Sequence, residues 1–277
     1  MTRKVAVIAG RGALPDIIVA RLQAAGTDWL CAEPDGLDTP APPRTGALRF
    51  RLERLVPFLD QLLEAGVTHV TFAGAVHRPR LDPALIDPRT LQLLPRIMAA
   101  MQNGDDATLR EVLSLFEEWG LSVIGTAELC PELLPGPGCL STRAPSSQDQ
   151  DDAARAAEIV AALGAVDVGQ GAVVSRRTCL AVEALPGTDA MLAHIATLRA
   201  PGALWSGHTG GVLLKAAKPA QDRRIDLPAI GPDTLHGARA AGLSGVAFAP
   251  GSVLLLEPAP LAELADALGL SLWAPAP

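Results

Sequence analysis

Apolar residues run along the first half of the chain in two alternating rhythms. KVAVIAG (4–10) is almost continuously apolar, as a buried strand requires. From Leu14 the spacing changes. Leu14, Ile17, Ile18, Leu22 and Ala25 recur at helical intervals, Pro15 sits where a missing N–H costs nothing, and Gly26 ends the run. DWLCAE (28–33) predicts a second strand, 55–65 a second helix closed by Gly66, and VTHVTFAG (67–74) a third strand. Leu109, Val112, Leu113 and Phe116 line one helical face up to Gly120, and LSVIG (121–125) returns to strand. Such alternation implies an α/β fold around a mainly parallel sheet with right-handed crossovers.

The rhythm breaks at CPELLPGPGCLSTRAPSS, which has neither period. Residues 135–145 read as a linker, giving an N-terminal domain over 1–134 and a C-terminal α/β domain over 146–277. In the second half, helices are expected near 151–163, 190–198, 234–241 and 261–268. Strands are expected at 171–175, 178–183 and 212–217, and at GVAFA and VLLLE. Two strands in immediate succession make a mixed sheet the expectation there.

Composition narrows the class. With 277 residues, 49% apolar and 19% charged, the chain can bury a large core and is not disordered. A net charge of −7 argues against a general nucleic-acid binder. No run approaches the roughly 18 apolar residues of a membrane span. MTRKVAVIAGRG enters a strand at once without a signal-peptide core, so a cytoplasmic location is expected. Cys31, Cys130, Cys139 and Cys179 form no C-x-x-C pair, which argues against a zinc site or disulfide framework. Of 23 basic residues only Lys4, Lys215 and Lys218 are lysines, and two of them share one short block.

Several loops carry candidate chemistry. Gly10-Arg11-Gly12 follows a strand and opens a helix, where backbone N–H groups can face a phosphate, although Pro15 stands where a third glycine would be. Glu33 falls near the place of a ribose-binding acid. Arg78, after the third strand, lies where a ligand crevice forms and can grip phosphate bidentately. In NGDD, one of Asp105 and Asp106 is explained as a helix cap, and the second is available as a metal or sugar ligand.

The densest signal is LLKAAKPAQDRRIDLPAIGPDT (213–234). Lys215, Lys218, Arg223 and Arg224 supply four cations within ten residues, interleaved with Asp222 and Asp226 and pinned by Pro219, Pro228, Gly231 and Pro232. That mixture suits phosphoryl chemistry: cations on phosphate oxygens, carboxylates on a divalent metal such as Mg2+ or on a water. Upstream, Thr188 or Asp189 caps a helix, and Glu183 and Asp189 would complete a metal site if they neighboured Asp222. His208, in SGHTGG, reads as a solvated loop histidine.

These residues resemble one family. KxxKPxQDxRxDLPxIGPxT, from Lys215 to Thr234, is similar to a signature of the UDP-2,3-diacylglucosamine pyrophosphatases of lipid A synthesis, in the form unrelated to metallophosphoesterases. Gly187-Thr188-Asp189, AGRGALP and NGDD are similar to further segments, in the same order. The resemblance implies a Rossmann-like N-terminal domain, a second α/β domain and a ligand held between them. It implies Mg2+-dependent water attack (Mn2+ being an alternative) on the α-phosphorus of UDP-2,3-diacylglucosamine, releasing 2,3-diacylglucosamine 1-phosphate (lipid X) and UMP. The essential aspartate maps to Asp222 or Asp226, and Asp222 is favoured because it adjoins the cations. Asp226 and Asp189 are then secondary metal ligands, and Lys215, Lys218, Arg223, Arg224 and Thr188 engage the diphosphate, with Gly10, Gly12, Arg78, Asp105 and Asp106 contributing from the other domain. Where relatives often carry Ile-Glu, this chain has Leu185-Pro186, which removes one acid. A diacyl substrate also implies peripheral contact with the inner membrane surface, and a homodimer is left open. Two rival readings remain at this point, an NAD(P)-dependent oxidoreductase and a non-catalytic nucleotide-sugar or lipid-binding module.

Overall fold

The computed structural model describes residues 3–35, 44–76, 81–219 and 221–276, with Asp105 described in its backbone only. The chain divides into two compact units. Unit 1 contains 1–131 together with Asp222–Asp226, and unit 2 contains Glu132–Gln221 and Leu227–Pro277.

Unit 1 is built on strands β1 (Lys4–Ala9), β2 (Asp28–Pro34), β3 (Leu48–Phe50), β4 (His69–Ala73) and β5 (Ser122–Val123). They form one sheet in the order β3-β2-β1-β4-β5, and every pairing is parallel. Helices α1 (Leu14–Ala24), α2 (Leu55–Glu64), α3 (Pro88–Leu91), α4 (Leu94–Gln102), α5 (Asp105–Glu118) and α6 (Thr126–Leu129) cover it. The parallel, Rossmann-like arrangement is the one the alternating pattern predicts. The core joins Ala6, Ile8 and Val70 of the sheet to Phe58, Leu59 and Leu62 of α2 and to Leu113 and Phe116 of α5. Phe50 stacks on Phe58 at 3.8 Å between ring centroids. Strand β3 and the helices α3 and α4 were not visible in the periodicity, because a three-residue strand and Pro-broken helical turns give too short a pattern.

Unit 2 contains β6 (Gly138–Cys139), α7 (Ser147–Gly164), β7 (Gly171–Ser175), β8 (Thr178–Val182), α8 (Gly187–Arg199), β9 (Val212–Lys215), β10 (Ala229–Ile230), α9 (Pro232–Ala240), β11 (Gly245–Phe248), β12 (Leu254–Leu255), α10 (Pro258–Leu268) and β13 (Ser271–Ala274). Six strands run in the order β6-β13-β11-β9-β7-β8. The β13, β11 and β9 pairings are parallel, and β6 and the β7–β8 hairpin are antiparallel, so the sheet is mixed as expected. A separate parallel pair joins β10 to β12. Leu213, Val246 and Leu272 of the sheet meet Leu192, Ile195 and Leu235 on one face, while Ala153, Ala156 and Val160 of α7 cover the other. Helix α7 starts four residues before its expected position, because Ser146 and Asp149 close a capping box. The fully buried β13 was also missed in the sequence. Residues 135–145, read there as a linker, carry β6 and pack within unit 2: Pro135 accepts from the Gly251 N–H, and Thr142 bonds the Asp266 carboxylate at 2.7 Å.

Where β1 and β4 end, their loops are knitted together. The Gly10 and Arg11 N–H groups donate to the Ala73 and Ala75 carbonyls at 2.7 and 2.8 Å, and the Ala75 N–H returns a bond to Arg11. No side chain fits between them. A Cβ on Gly10 would lie 2.5 Å from the Ala75 oxygen, and one on Gly74, whose φ is +85°, would lie 2.3 Å from the Arg11 oxygen. Gly74→Ala is therefore expected to destabilise the full chain by at least about 2 kcal/mol in urea unfolding. A loss below about 0.5 kcal/mol would mean that the loops separate without strain.

Candidate functional site

The candidate residues fall into two sets, one in each unit. In unit 1 the adjoining ends of β1 and β4 fall at the centre of a β3-β2-β1-β4-β5 sheet, the position where parallel sheets open a ligand crevice. Gly12, with φ +93° and open space around it, lies on this rim. Gly10 serves the contact with the β4 loop. Glu33 at the end of β2 is buried, and its oxygens are already taken. Arg44 Nη1 reaches it at 2.9 Å and Arg49 Nη1 at 2.8 Å, and the Arg44 N–H adds a backbone bond. Arg44 also bonds Asp16 at 2.7 Å and the Gly10 and Gly12 carbonyls at 3.2 and 3.1 Å. A carboxylate neutralised by two arginines is a poor partner for a ribose hydroxyl, so the dinucleotide reading loses its acid. Arg44 was missed in the sequence because it follows a Pro-rich stretch with no period.

Asp105 and Asp106 open α5 behind an N-cap at Gly104, so neither occupies the cap position expected of them. Acids in a first helical turn are explained by the dipole. Arg78 lies outside the described residues.

Asp222, Arg223, Arg224, Ile225 and Asp226 come from the second half of the sequence but belong to unit 1. Ile225 packs against its core. Gly125 admits the segment, since a Cβ there would come within 2.9 Å of the Arg224 Cα. The Ile225 and Asp226 N–H groups both turn back onto the Asp222 carbonyl. Arg224 grips the Asp222 carboxylate through Nε at 3.0 Å and Nη2 at 2.7 Å, with its own N–H adding a third bond at 3.0 Å. The far side of its guanidinium reaches Glu117 on α5 at 2.6 Å. The guanidinium holds the Asp222 carboxyl below the usual carboxylate range, against the opposing effect of burial, and the backbone bond and the charge of Arg110 add to it. Asp222 is thus ionised at neutral pH. Asp226 is half-buried in the same turn, and Arg223 is exposed.

In unit 2, Lys215 ends β9 with a relative exposure of 7%. Its Nζ donates to the Thr188 hydroxyl at 2.9 Å and to the Ala229 carbonyl at 3.0 Å, and lies 3.9 Å from Glu183 Oε2. Thr188 is buried in the first turn of α8, and its neighbour Asp189 is exposed. Lys218, equally buried, pairs with Asp167 at 2.5 Å, and its N–H donates to Gln221 at 3.0 Å. The structure therefore joins Lys215 with Thr188 and Glu183, Lys218 with Asp167, and Asp222 with Arg224. Among the described residues no group of three or more acids, histidines or cysteines is assembled to hold a metal. Glu117, Arg110 and Asp167 were not singled out in the sequence, where they look like ordinary charges on solvated faces.

Comparison with known proteins places this arrangement. The family model for the LpxI N-terminal domain matches residues 4–133, and that for the LpxI C-terminal domain matches 136–273. The chain belongs to the LpxI family. It is 36% identical over 268 residues to the UDP-2,3-diacylglucosamine pyrophosphatase LpxI of Caulobacter vibrioides, covering 97% of this chain and 96% of that protein. The two LpxI domain matches meet within a few residues of the point where unit 1 first gives way to unit 2.

The depressed acidity of Asp222 has a definite sign. A carboxylate whose folded-state pKa is lowered stabilises the fold above its unfolded value, near 4, and that contribution is lost as pH falls through the folded value. Carboxyl-carbon NMR titration should give Asp222 a midpoint below about 4 that rises in Arg224→Met. An unchanged midpoint in that variant would show that the guanidinium is not the cause.

Proposed function

We propose that this chain hydrolyses the diphosphate bond of UDP-2,3-diacylglucosamine, releasing 2,3-diacylglucosamine 1-phosphate and UMP by water attack on the α-phosphorus. The observation that carries this reading is the identity with the Caulobacter vibrioides pyrophosphatase along nearly the whole of both chains. The Lys215–Thr234 block supports it with the residue types that phosphoryl transfer needs.

Asp222 is the principal catalytic carboxylate in this reading. Held ionised by Arg224, it is a weak proton acceptor at neutral pH. That favours orientation of water or cation binding over deprotonation. Its carboxylate oxygens, which accept from Arg224, are of the donor type that Mg2+ takes, commonly through one or two carboxylates with water and phosphate oxygens completing the shell. Asp222 and Asp226 would hold it, with Asp189 a more distant candidate, and Mn2+ takes the same oxygen donors. Such an ion supplies polarisation of the phosphoryl oxygens and neutralises charge on them. Arg224 fixes the carboxylate, and Arg223 adds exposed positive charge. Lys215, through its bond to Thr188, sets that hydroxyl, and both, with Lys218, are assigned to the diphosphate. Gly10, Gly12, Arg78, Asp105 and Asp106 are assigned supporting contacts. Among the described residues no helix is long and apolar enough to cross a membrane, so access to a diacyl substrate is assigned to peripheral contact with the bilayer surface.

The test is UMP release from UDP-2,3-diacylglucosamine in Mg2+, run in 18O-water. The label should enter UMP, and Asp222→Asn should cut turnover by roughly 100-fold or more with folding and substrate binding retained. Near-normal UMP release from Asp222→Asn would remove the assigned role, and label in the sugar phosphate would move the attack to the other phosphorus.

A further inference from the structure

Lys215 stands opposite Gly171 at one end of the β9–β7 pairing, and Val212 stands opposite Val174 at the other, about 10 Å away along the strands. At that second end the β7–β8 hairpin turns through Arg176 and Arg177, between the paired Ser175 and Thr178. Both arginines have positive φ, 49° and 62°. A two-residue turn of this kind favours Asn-Gly, and two arginines are among the less suitable choices. The turn is held from beneath by Asp152, which is buried and accepts the Arg176 and Arg177 N–H groups at 3.0 and 2.6 Å. Arginine stands at a position where the backbone prefers another residue.

Arg176 lines a cavity of about 610 Å3 with Thr178, Leu180, Arg199, Trp205 and His208. That volume is of ligand size. Arg199 enters it from the end of α8. Its guanidinium donates to the Ala241, Gly242 and Gly210 carbonyls at 2.7, 3.1 and 3.0 Å, and its buried Nε–H meets no acceptor among the described residues. Neither Arg176 nor Arg199 forms an ion pair among those residues. Burial lowers the Arg199 pKa with no carboxylate acting against it. This contrasts with Lys215, Lys218 and Arg224, each of which faces an acid. Two guanidinium groups that face no carboxylate, Arg199 held in place by its carbonyl bonds, with an indole and hydroxyls around one cavity, make a receptor for an anion with an apolar body.

We propose that this cavity binds a small phosphate-bearing molecule, its phosphate meeting Arg176 and Arg199 and its body lying against Trp205 and Leu180. The site gives a role to the SGHTGG segment, whose His208 bonds the Trp205 carbonyl at 3.0 Å through its N–H. It stands on residues separate from those assigned to diphosphate hydrolysis.

The test uses the full chain, with inorganic phosphate and adenosine monophosphate as probes. The Trp205 indole resonance, one of four and assigned with Trp205→Phe, should shift saturably with both probes. Arg176→Asn should raise or preserve the melting temperature, because asparagine suits the left-handed turn, yet weaken binding by about tenfold. Arg177→Asn, which changes the same turn without touching the cavity, should leave binding unchanged. The proposal is overturned if Trp205 shows no saturable shift up to about 10 mM of either probe. It is equally overturned if Arg176→Asn binds both probes as tightly as the natural chain.

Discussion

The candidate chemistry depends on how Asp222–Asp226 is attached. The residues before and after it belong to unit 2, but the segment itself is part of unit 1. Ile225 buries its side chain against the unit 1 core, Gly125 clears space for the backbone, and Glu117 takes the outer edge of the Arg224 guanidinium. An apolar anchor between two charged residues fixes the carboxylate more firmly than a solvated loop would. The three bonds from Arg224 then hold Asp222 in one orientation and favour its ionised form.

The charges elsewhere in the block follow a related rule. Four cations in ten residues suggest a positive patch that gathers anions by its field. Lys215 instead sits near Glu183, Lys218 against Asp167, and Arg224 between Asp222 and Glu117. Buried ammonium groups require such partners, since an uncompensated charge in a low-dielectric site costs several kcal/mol. Three of the four cations are therefore matched to acids, with the exposed Arg223 as the fourth, so the block's value to phosphate chemistry lies in fixed donors more than in net charge.

The fold was legible where the chain repeats a period long enough to register. The β1, β2 and β4 strands with α1 and α2 were read closely, because each is a sustained apolar run or stripe, closed by glycine in every case but β2. The two-residue strands β6 and β10 depend on partners distant in sequence and leave no local trace, whereas β12 lies within the VLLLE run that was read as a strand. The site was legible in residue type and not in pairing. Asp222 and Lys215 stood out in the sequence, whereas the partners that decide their state, Glu117 and Glu183, look like any surface acid. Glu33 shows the opposite failure. Its position suited a ribose, but Arg44 and Arg49, which occupy it, come from a stretch whose pattern predicts nothing.

The two ends of the unit 2 sheet show how strain and charge separate structural from unexplained arginines. At the Lys215 end each lysine faces a carboxylate, Glu183 or Asp167, and the backbone of β9 is ordinary strand. At the hairpin end, Asp152 is spent on two backbone N–H groups, so its charge holds the turn and leaves the Arg176 side chain unmatched. A turn selected for stability alone would carry asparagine or glycine there. The arginine at this positive-φ position, above a cavity that also holds Arg199, has no ion-pair partner among the described residues to account for it, and anion recognition would supply one.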